Sequence, residues 1–351
     1  MISGTKTIVI DKYGSATSIF DIAREIDVIE TTQHPTSGDV VVVKALGESA
    51  TYGNLELPNG RLARITLGDV LVGVLGTRRA LKGFVGDVPS SIKAGDRLHL
   101  LNMGGVIGIC SGHHSSLSDA IEVEVIGLAC DVEGIVLNIA RGALAPAAYL
   151  EPSAPVIVIA GSCMNSGKTV AATEIIKQAS HRGLRVAAAK LSGVAALRDT
   201  LNMQDHGAFS TASFIDCGLP STANIEDLAP TAMAILNHLN SLQPDLIVVE
   251  LGDGIIGGYG VDTLLQDTEL KSCFSTFIFC ASDYVGVVGG MNVLKAFGIE
   301  IDVVAGSVTD SKMGEDFIKE NFKLNAGNAR RNGSGLFDLA YQPIEELKLA
   351  A

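Results

Sequence analysis

Residues 1–140 of this 351-residue chain read as a small β barrel or sandwich, and residues 156–351 as a parallel-sheet α/β domain, with 141–155 linking them. Three observations lead there. In the first part, Gly38-Asp39, Gly68-Asp69 and Gly95-Asp96 each feed an apolar run, at 40–43, 70–74 and 97–100. Gly and Asp supply turn geometry and local hydrogen bonds, and runs rich in β-branched residues suit strands. Short strands with frequent glycine pack as a barrel or sandwich. In the second part, apolar strands alternate with helical stretches, the pattern of βαβ units around a parallel sheet. Between the two, Pro146, Pro152 and Pro155 stand among small residues, the composition of a stiff connector.

The second part resolves into elements in order. Residues 156–160 are a strand, 169–181 a helix ended by Gly183, and 185–190 a strand. Residues 228–242 form a helix ended by Pro244, and 245–250 and 274–280 are strands. A helix over 287–297 and a strand over 301–305 complete the expected set. The strands are almost continuously apolar, which implies burial on both faces.

Composition narrows the function. Hydrophobic residues make up 47% and charged residues 19%, enough apolar material for two cores and too little charge for a disordered chain. The net charge of −13 argues against nucleic acid as a partner, because a phosphate backbone needs a basic footprint. Arg78-Arg79 and Arg330-Arg331 are isolated pairs. None of the six cysteines makes a C-x-x-C pair or a zinc spacing, so reduced thiols of a cytoplasmic protein are expected. Residues 1–6 do not read as a secretory leader, and no apolar run reaches the roughly 18 residues of a membrane span.

The chemistry concentrates between the strand at 156–160 and the helix after it. There the chain reads Gly161, Ser162, Cys163, Met164, Asn165, Ser166, Gly167, Lys168, Thr169 and Val170. A glycine-rich turn from a strand into a helix, closed by Gly-Lys-Thr, is a phosphate-binding P-loop, so the second part is expected to be a P-loop NTPase domain. Its main-chain amides and the helix N-terminus receive phosphate oxygens. Gly167 allows close approach, Lys168 reaches the β- and γ-phosphates, and the Thr169 hydroxyl binds Mg²⁺.

The usual G-x-x-x-x-G-K-[ST] spacing puts a glycine at 162, where this chain has Ser162 and carries glycine at 161 instead. With that shift the loop resembles those of dethiobiotin synthetase and of the synthetase domains of cobyrinate- and cobyrate-type amidotransferases. Lys190-Leu191-Ser192-Gly193 is similar to that family's Lys-Pro-Val-x-Ser-Gly segment, 197–204 to Ser-Asp-Ala-Leu-x-Leu-Gln, and 248–254 to Val-Glu-Gly-Ala-Gly-Gly. The likeness covers about 156–310. It implies Mg²⁺ held by Thr169, Asp199 and Glu250, with Lys168, Lys190 and Glu250 as the catalytic residues. Glu250 ends its strand, where open α/β sheets bind ligands, and Asp253 is its rival. Asp199 also reads as a helix cap, and Lys190 as a surface lysine at a strand end.

The resemblance implies an ATP-dependent synthetase, with GTP possible, that activates a small carboxylate or carbamate by γ-phosphoryl transfer for attack by an amine. It also admits a nucleotide-dependent switch that senses a partner through the β part, or a loop that holds coenzyme A for acyl transfer. A homodimer is expected. The chain departs from the family at Asn165, at Ser307-Val308-Thr309-Asp310 where the family reads adenine, and in having no glutaminase half.

Other features are weighed as structure first. His113-His114 on a strand would point to opposite faces, so a loop pair is the expectation rather than a metal site. Arg78, Arg79 and Lys82 could reach an anion but read as a solvated loop. Cys163, inside the loop, reads as simple packing, with redox sensitivity as the alternative. Residues 213–222 and the glycine-rich 252–260 could form the substrate side, the second as a lid.

Overall fold

The first half closes a ring of five strands: Val40–Ala45 (β1), Val70–Leu75 (β2), Arg97–Leu100 (β3), Val106–His113 (β4) and Glu122–Cys130 (β5). In this computed structural model β1 pairs antiparallel with β2, β2 parallel with β4, β4 antiparallel with β3, and β3 antiparallel with β5, which returns antiparallel to β1. Of the barrel and the sandwich that the sequence left open, the ring is a closed barrel, and further strands extend the same sheet beyond it. Each Gly-Asp turn has the geometry the residues suggested. Gly38, Gly68 and Gly95 lie at φ of 89, 90 and 87°. The following aspartates accept from Thr36 N at 2.7 Å, Thr66 N at 2.6 Å and Lys93 N at 2.9 Å. The structure describes residues 5–30 and 34–350; the segment 1–4, read above for a leader, lies outside the described residues.

Alternation decides which side chains face inward. Val41, Val43 and Ala45 join Leu71, Leu98, Ile107, Val123 and Val125 in one cluster that draws on all five strands, the barrel interior. Val40 and Val42 join Val72, Val74 and Val106 in a second cluster outside it. That outer face is covered by Ile10 and Ala16 and by Ala195, Phe214 and Ile215. Burial on both faces explains why β1 opens on four consecutive valines, Val40, Val41, Val42 and Val43.

The covering residues identify the compact units. One is Met1–Leu144 with Val194–Arg198 and Phe214–Asn224; the other is Ala145–Gly193, Asp199–Ser213 and Ile225–Ala351. Within residues 213–222, which the sequence offered as a possible substrate side, Phe214 and Ile215 are buried with the outer barrel face. Their turn-rich surroundings hid an apolar pair that needed a partner. The segment 194–198 is fixed by hydrogen bonds. Asn102 donates to Ala195 O at 2.8 Å, and Ala195 N donates to Pro220 O at 2.9 Å. Glu56, 1% exposed, accepts from Leu197 N at 2.7 Å and from the Ser15 hydroxyl.

The second unit holds a seven-stranded sheet. Its strands are Val156–Gly161 (β6), Val186–Ser192 (β7), Ser210–Ser213 (β8), Leu246–Leu251 (β9), Phe274–Cys280 (β10), Val303–Ala305 (β11) and Asn325–Ala326 (β12). The order is β8-β7-β9-β6-β10-β11-β12, with every pairing parallel. From β6 the chain first builds one side and later the other, so the crevice at its C-terminal end lies at a switch point. Helix Lys168–His181 (α1) buries Ala171, Ala172, Ile175, Ile176 and Ala179, an i, i+4 stripe, against the sheet. Helices Arg198–Asp205 (α2), Ala229–Ser241 (α3) and Tyr284–Ala296 (α4) follow. Beyond the last expected element lies the helix Gly333–Ala350 (α5), whose Leu336, Phe337, Ala340, Tyr341 and Ile344 repeat the stripe on the same core. No helix among the described residues is long and apolar enough to cross a membrane.

Removing the Glu56 carboxylate leaves the Leu197 amide and the Ser15 hydroxyl buried without their acceptor. Glu56→Ala should therefore lower stability by about 1–3 kcal/mol in urea unfolding, and Glu56→Gln by less because it keeps an acceptor.

Candidate functional site

The loop after β6 turns back on itself tightly enough to exclude side chains. A Cβ on Gly161 would lie 2.4 Å from Ser166 Oγ and 2.9 Å from Cys280 O. That contact explains why glycine stands at 161 while Ser162 is tolerated. Asn165 at φ 65° and Gly167 at φ 103° supply the left-handed turns that curl the strand end into α1. Gly306, at φ 88° just after β11, closes the far side: a Cβ there would meet Ser166 O at 2.2 Å. Ser162 N donates to Cys280 O at 2.9 Å, and Ser307 N to Ser166 O at 3.2 Å, so β10 and β11 both brace the loop. Sequence reasoning missed Cys280 and Gly306; the signal for the second was a Gly-Ser directly after a strand.

The first α-helical bond of α1 runs from Ala171 N to Gly167 O at 3.0 Å. The amides of Lys168, Thr169 and Val170 precede it, the arrangement that receives anions at a helix N-terminus. Lys168 is buried, and its Nζ donates to Cys163 O at 2.9 Å, spanning the loop. Met164 is half-buried and Asn165 exposed on the rim. Cys163 Sγ lies 3.4 Å from Ser282 Oγ. Burial pushes the Cys280 thiol beneath the loop up to about 12, so it stays protonated.

Two acidic residues are brought to this end of the sheet in different states. Glu250, 3% exposed near the end of β9, lies in register with Ile159 on one side and Lys190 on the other. The Thr169 hydroxyl donates to Glu250 Oε1 at 2.8 Å, while Oε2 is buried with no partner. Asp199 lies in the first turn of α2, past the capping position, and pairs with Lys190. Lys190 is thus held by an ion pair rather than loose on the surface.

A hydroxyl and a carboxylate with an unsatisfied buried oxygen form a hard-oxygen set. That suits Mg²⁺, which takes one or two protein carboxylates and completes its shell with substrate phosphates and water. Among the described residues no group of three or more His, Cys, Asp or Glu is arranged to hold a metal by itself. His113 Nε2 lies 3.1 Å from Asp119 Oδ1 and His114 Nδ1 2.8 Å from Ser116 Oγ, so the two imidazoles have separate partners.

The segment 252–260 packs on the loop. Ile255 N donates to Gly161 O at 2.9 Å, and a Cβ on Gly254 would lie 2.7 Å from Ser162 O. Within it Asp253 has φ 65°, a costly conformation for a residue with a side chain. Burial pushes the Asp253 carboxyl above the usual carboxylate range, against the Lys168 charge and the Gly254 amide, which pull it down. Beyond the start of α1 a cleft is lined by Gly167, Val170, Ser307, Asp310 and Asn328. Asn328 Nδ2 fixes Asp310 by donating to its Oδ1 at 2.9 Å.

Fold and loop together define an α/β domain of the P-loop type. No model of a known family matches the chain, and no curated protein matches it. Solved structures do align with it. Chloroplast FtsY from Physcomitrella patens matches at 11% identity and a TM-score of 0.37, over 53% of this chain and 66% of its own. The 54 kDa signal recognition particle protein of Aeropyrum pernix, solved with GDP, matches at 15% and 0.38 over 57% and 50%. A DUF1611-family protein from Anabaena variabilis matches at 14% and 0.40 over 57% and 63%. The chain spans less than two thirds of each of these proteins.

Because the folded-state pKa of Asp253 is raised, the unfolded chain loses this proton first as pH rises above about 4. Ionised Asp253 then costs stability at neutral pH. Asp253→Asn should raise the melting temperature at pH 7 and leave it nearly unchanged at pH 3, measured by thermal unfolding across that range.

Proposed function

We propose that this protein binds a nucleoside triphosphate with Mg²⁺ on the 161–169 loop and transfers its γ-phosphoryl group to a small carboxylate or carbamate, as an ATP-dependent synthetase does. The observation that carries the reading is the Thr169–Glu250 hydrogen bond at 2.8 Å with Glu250 Oε2 buried and unsatisfied. An orphaned buried carboxylate oxygen is costly, and a divalent cation is the partner that suits it.

The remaining roles follow from the residues in place. Main-chain amides of the loop and of the first turn of α1 hold the phosphates. Lys168 now donates to a neutral carbonyl, Cys163 O; a phosphate oxygen is a stronger, charged acceptor and would draw the ammonium toward itself. Thr169 and Glu250 would hold Mg²⁺, which would supply charge neutralisation to the phosphates. Lys190, oriented by Asp199, adds a second positive charge near the transferring group. The cleft by Asp310 and Asn328 is where the nucleoside would lie, with ATP or GTP as candidates. The 252–260 segment would keep water from the reacting phosphoryl group.

A nucleotide-dependent switch is the second reading. The hydrogen bond from Ile255 N to Gly161 O favours it, because a segment tied to the loop can respond to what the loop holds.

A thermal-shift panel of ATP, GTP, ADP and acetyl-CoA, each with and without Mg²⁺, tests both. A ligand that binds only the folded state raises apparent stability with occupancy. A triphosphate should raise the melting temperature with Mg²⁺ more than without. Lys168→Ala should lose the shift, and Glu250→Gln should keep the fold but lose the Mg²⁺-dependent part. A shift intact in Lys168→Ala places the site elsewhere, and a Mg²⁺-independent shift with acetyl-CoA alone points to acyl transfer. ADP released only when a small carboxylate is added supports the synthetase over the switch.

A further inference from the structure

The barrel unit contains a cation that its own residues do not neutralise. Arg78, on the short strand Arg78–Arg79, is only 5% exposed. Arginine is almost never this buried without an acidic partner. Its Nη1 donates to Leu101 O and its Nη2 to Tyr52 Oη at 2.8 Å, both neutral acceptors. Its Nε is buried with no acceptor at all. Acids on the same strands and loops are engaged elsewhere: Asp87 with Arg79 at 2.6 Å, Glu48 with Arg64 at 2.7 Å, and Asp119 with His113 at 3.1 Å. Among the described residues no carboxylate pairs with Arg78.

The surroundings are shaped around that guanidinium. A Cβ on Gly83 would lie 2.8 Å from Nη2, so glycine there lets the planar group lie against the backbone. The Tyr52 ring covers it, with its centroid 4.8 Å from Cζ. Phe84 is fully buried and packs against Tyr52 at 5.4 Å and His113 at 6.0 Å. Tyr52 is also strained: its φ is 52°, a region a bulky side chain enters only when its contacts hold it there. The loop that carries it is joined through Thr51 and Ser49 to Ser118, in a stretch rich in hydroxyls and imidazoles.

We propose that Arg78 is the anchor of a binding site for a small carboxylate, with Tyr52 as the lid that closes it. A guanidinium presents parallel N–H donors that match the two oxygens of a carboxylate. The Nε donor is the unsatisfied one, and the Tyr52 hydroxyl is a neutral stand-in for the charged acceptor. When a carboxylate enters, Tyr52 leaves Nη2 and gives up its strained backbone, and the buried charge gains its counter-ion. The site lies wholly within the barrel unit and stands apart from the nucleotide reading.

Thermal unfolding of the full chain in formate, acetate or succinate, against chloride at matched ionic strength, is the test. The wild type should gain melting temperature in the carboxylates, and Arg78→Met should lose that gain. In chloride alone Arg78→Met should melt at or above the wild type, because it removes an uncompensated buried charge. Tyr52→Phe, which keeps the ring and removes the neutral acceptor, should show a larger carboxylate shift than the wild type. The proposal is overturned if no carboxylate shifts the wild type, if Arg78→Met keeps the shift, or if Arg78→Met is destabilised in chloride while Tyr52→Phe responds like the wild type. A shift with inorganic phosphate and none with the carboxylates overturns the ligand class.

Discussion

Everything at the candidate site depends on the chain turning from the end of β6 into α1 without side chains in the way. Gly161 lies against Ser166, Gly167 against Gly306, and Gly306 against Ser166 O. Those close approaches set the curvature of the loop. The curvature in turn leaves the first amides of α1 without helical acceptors and brings Lys168 across to Cys163 O. It also delivers the Thr169 hydroxyl to Glu250. A methyl group at any of these three glycines would have to move backbone, so the chemistry and the packing share one constraint.

The loop was legible in the sequence because its information is local. A strand, a glycine-rich turn and a Gly-Lys-Thr entry into a helix lie within fifteen or so consecutive residues, and the amphipathic stripe of α1 follows directly. The three Gly-Asp turns were legible for the same reason. The pairing of Thr169 with Glu250 crosses 81 positions of sequence, and no spacing rule reaches that far; only resemblance suggested it. Resemblance also grouped Asp199 with the metal ligands, whereas its carboxylate is paired with Lys190.

What sequence reasoning missed is non-local. Phe214 and Ile215 looked like part of a turn-rich loop, yet they and Ala195 cover the outer face of a barrel built from residues more than sixty positions earlier. The valine run of β1 carried a hint of this, since an antiparallel strand buried on both faces needs a cover on each side. The buried Glu56 shows the cost of that arrangement: a carboxylate is kept in the interior to satisfy the backbone amide of an inserted segment. The helix Gly333–Ala350 went unread although Leu336, Ala340 and Ile344 recur at helical spacing, because Pro343 interrupts the pattern.

In the proposed function, main-chain amides of the loop and the Thr169–Glu250 pair together hold a polyphosphate and its metal ion. A crystal structure with a non-hydrolysable triphosphate analogue and Mg²⁺ examines it directly. The expected result is phosphate oxygens within hydrogen-bond distance of amides between 163 and 169, Lys168 Nζ moved from Cys163 O to a phosphate, and the metal on Thr169 Oγ1 with Glu250 beside it. Phosphates bound away from this loop, or a metal coordinated without either residue, would contradict it.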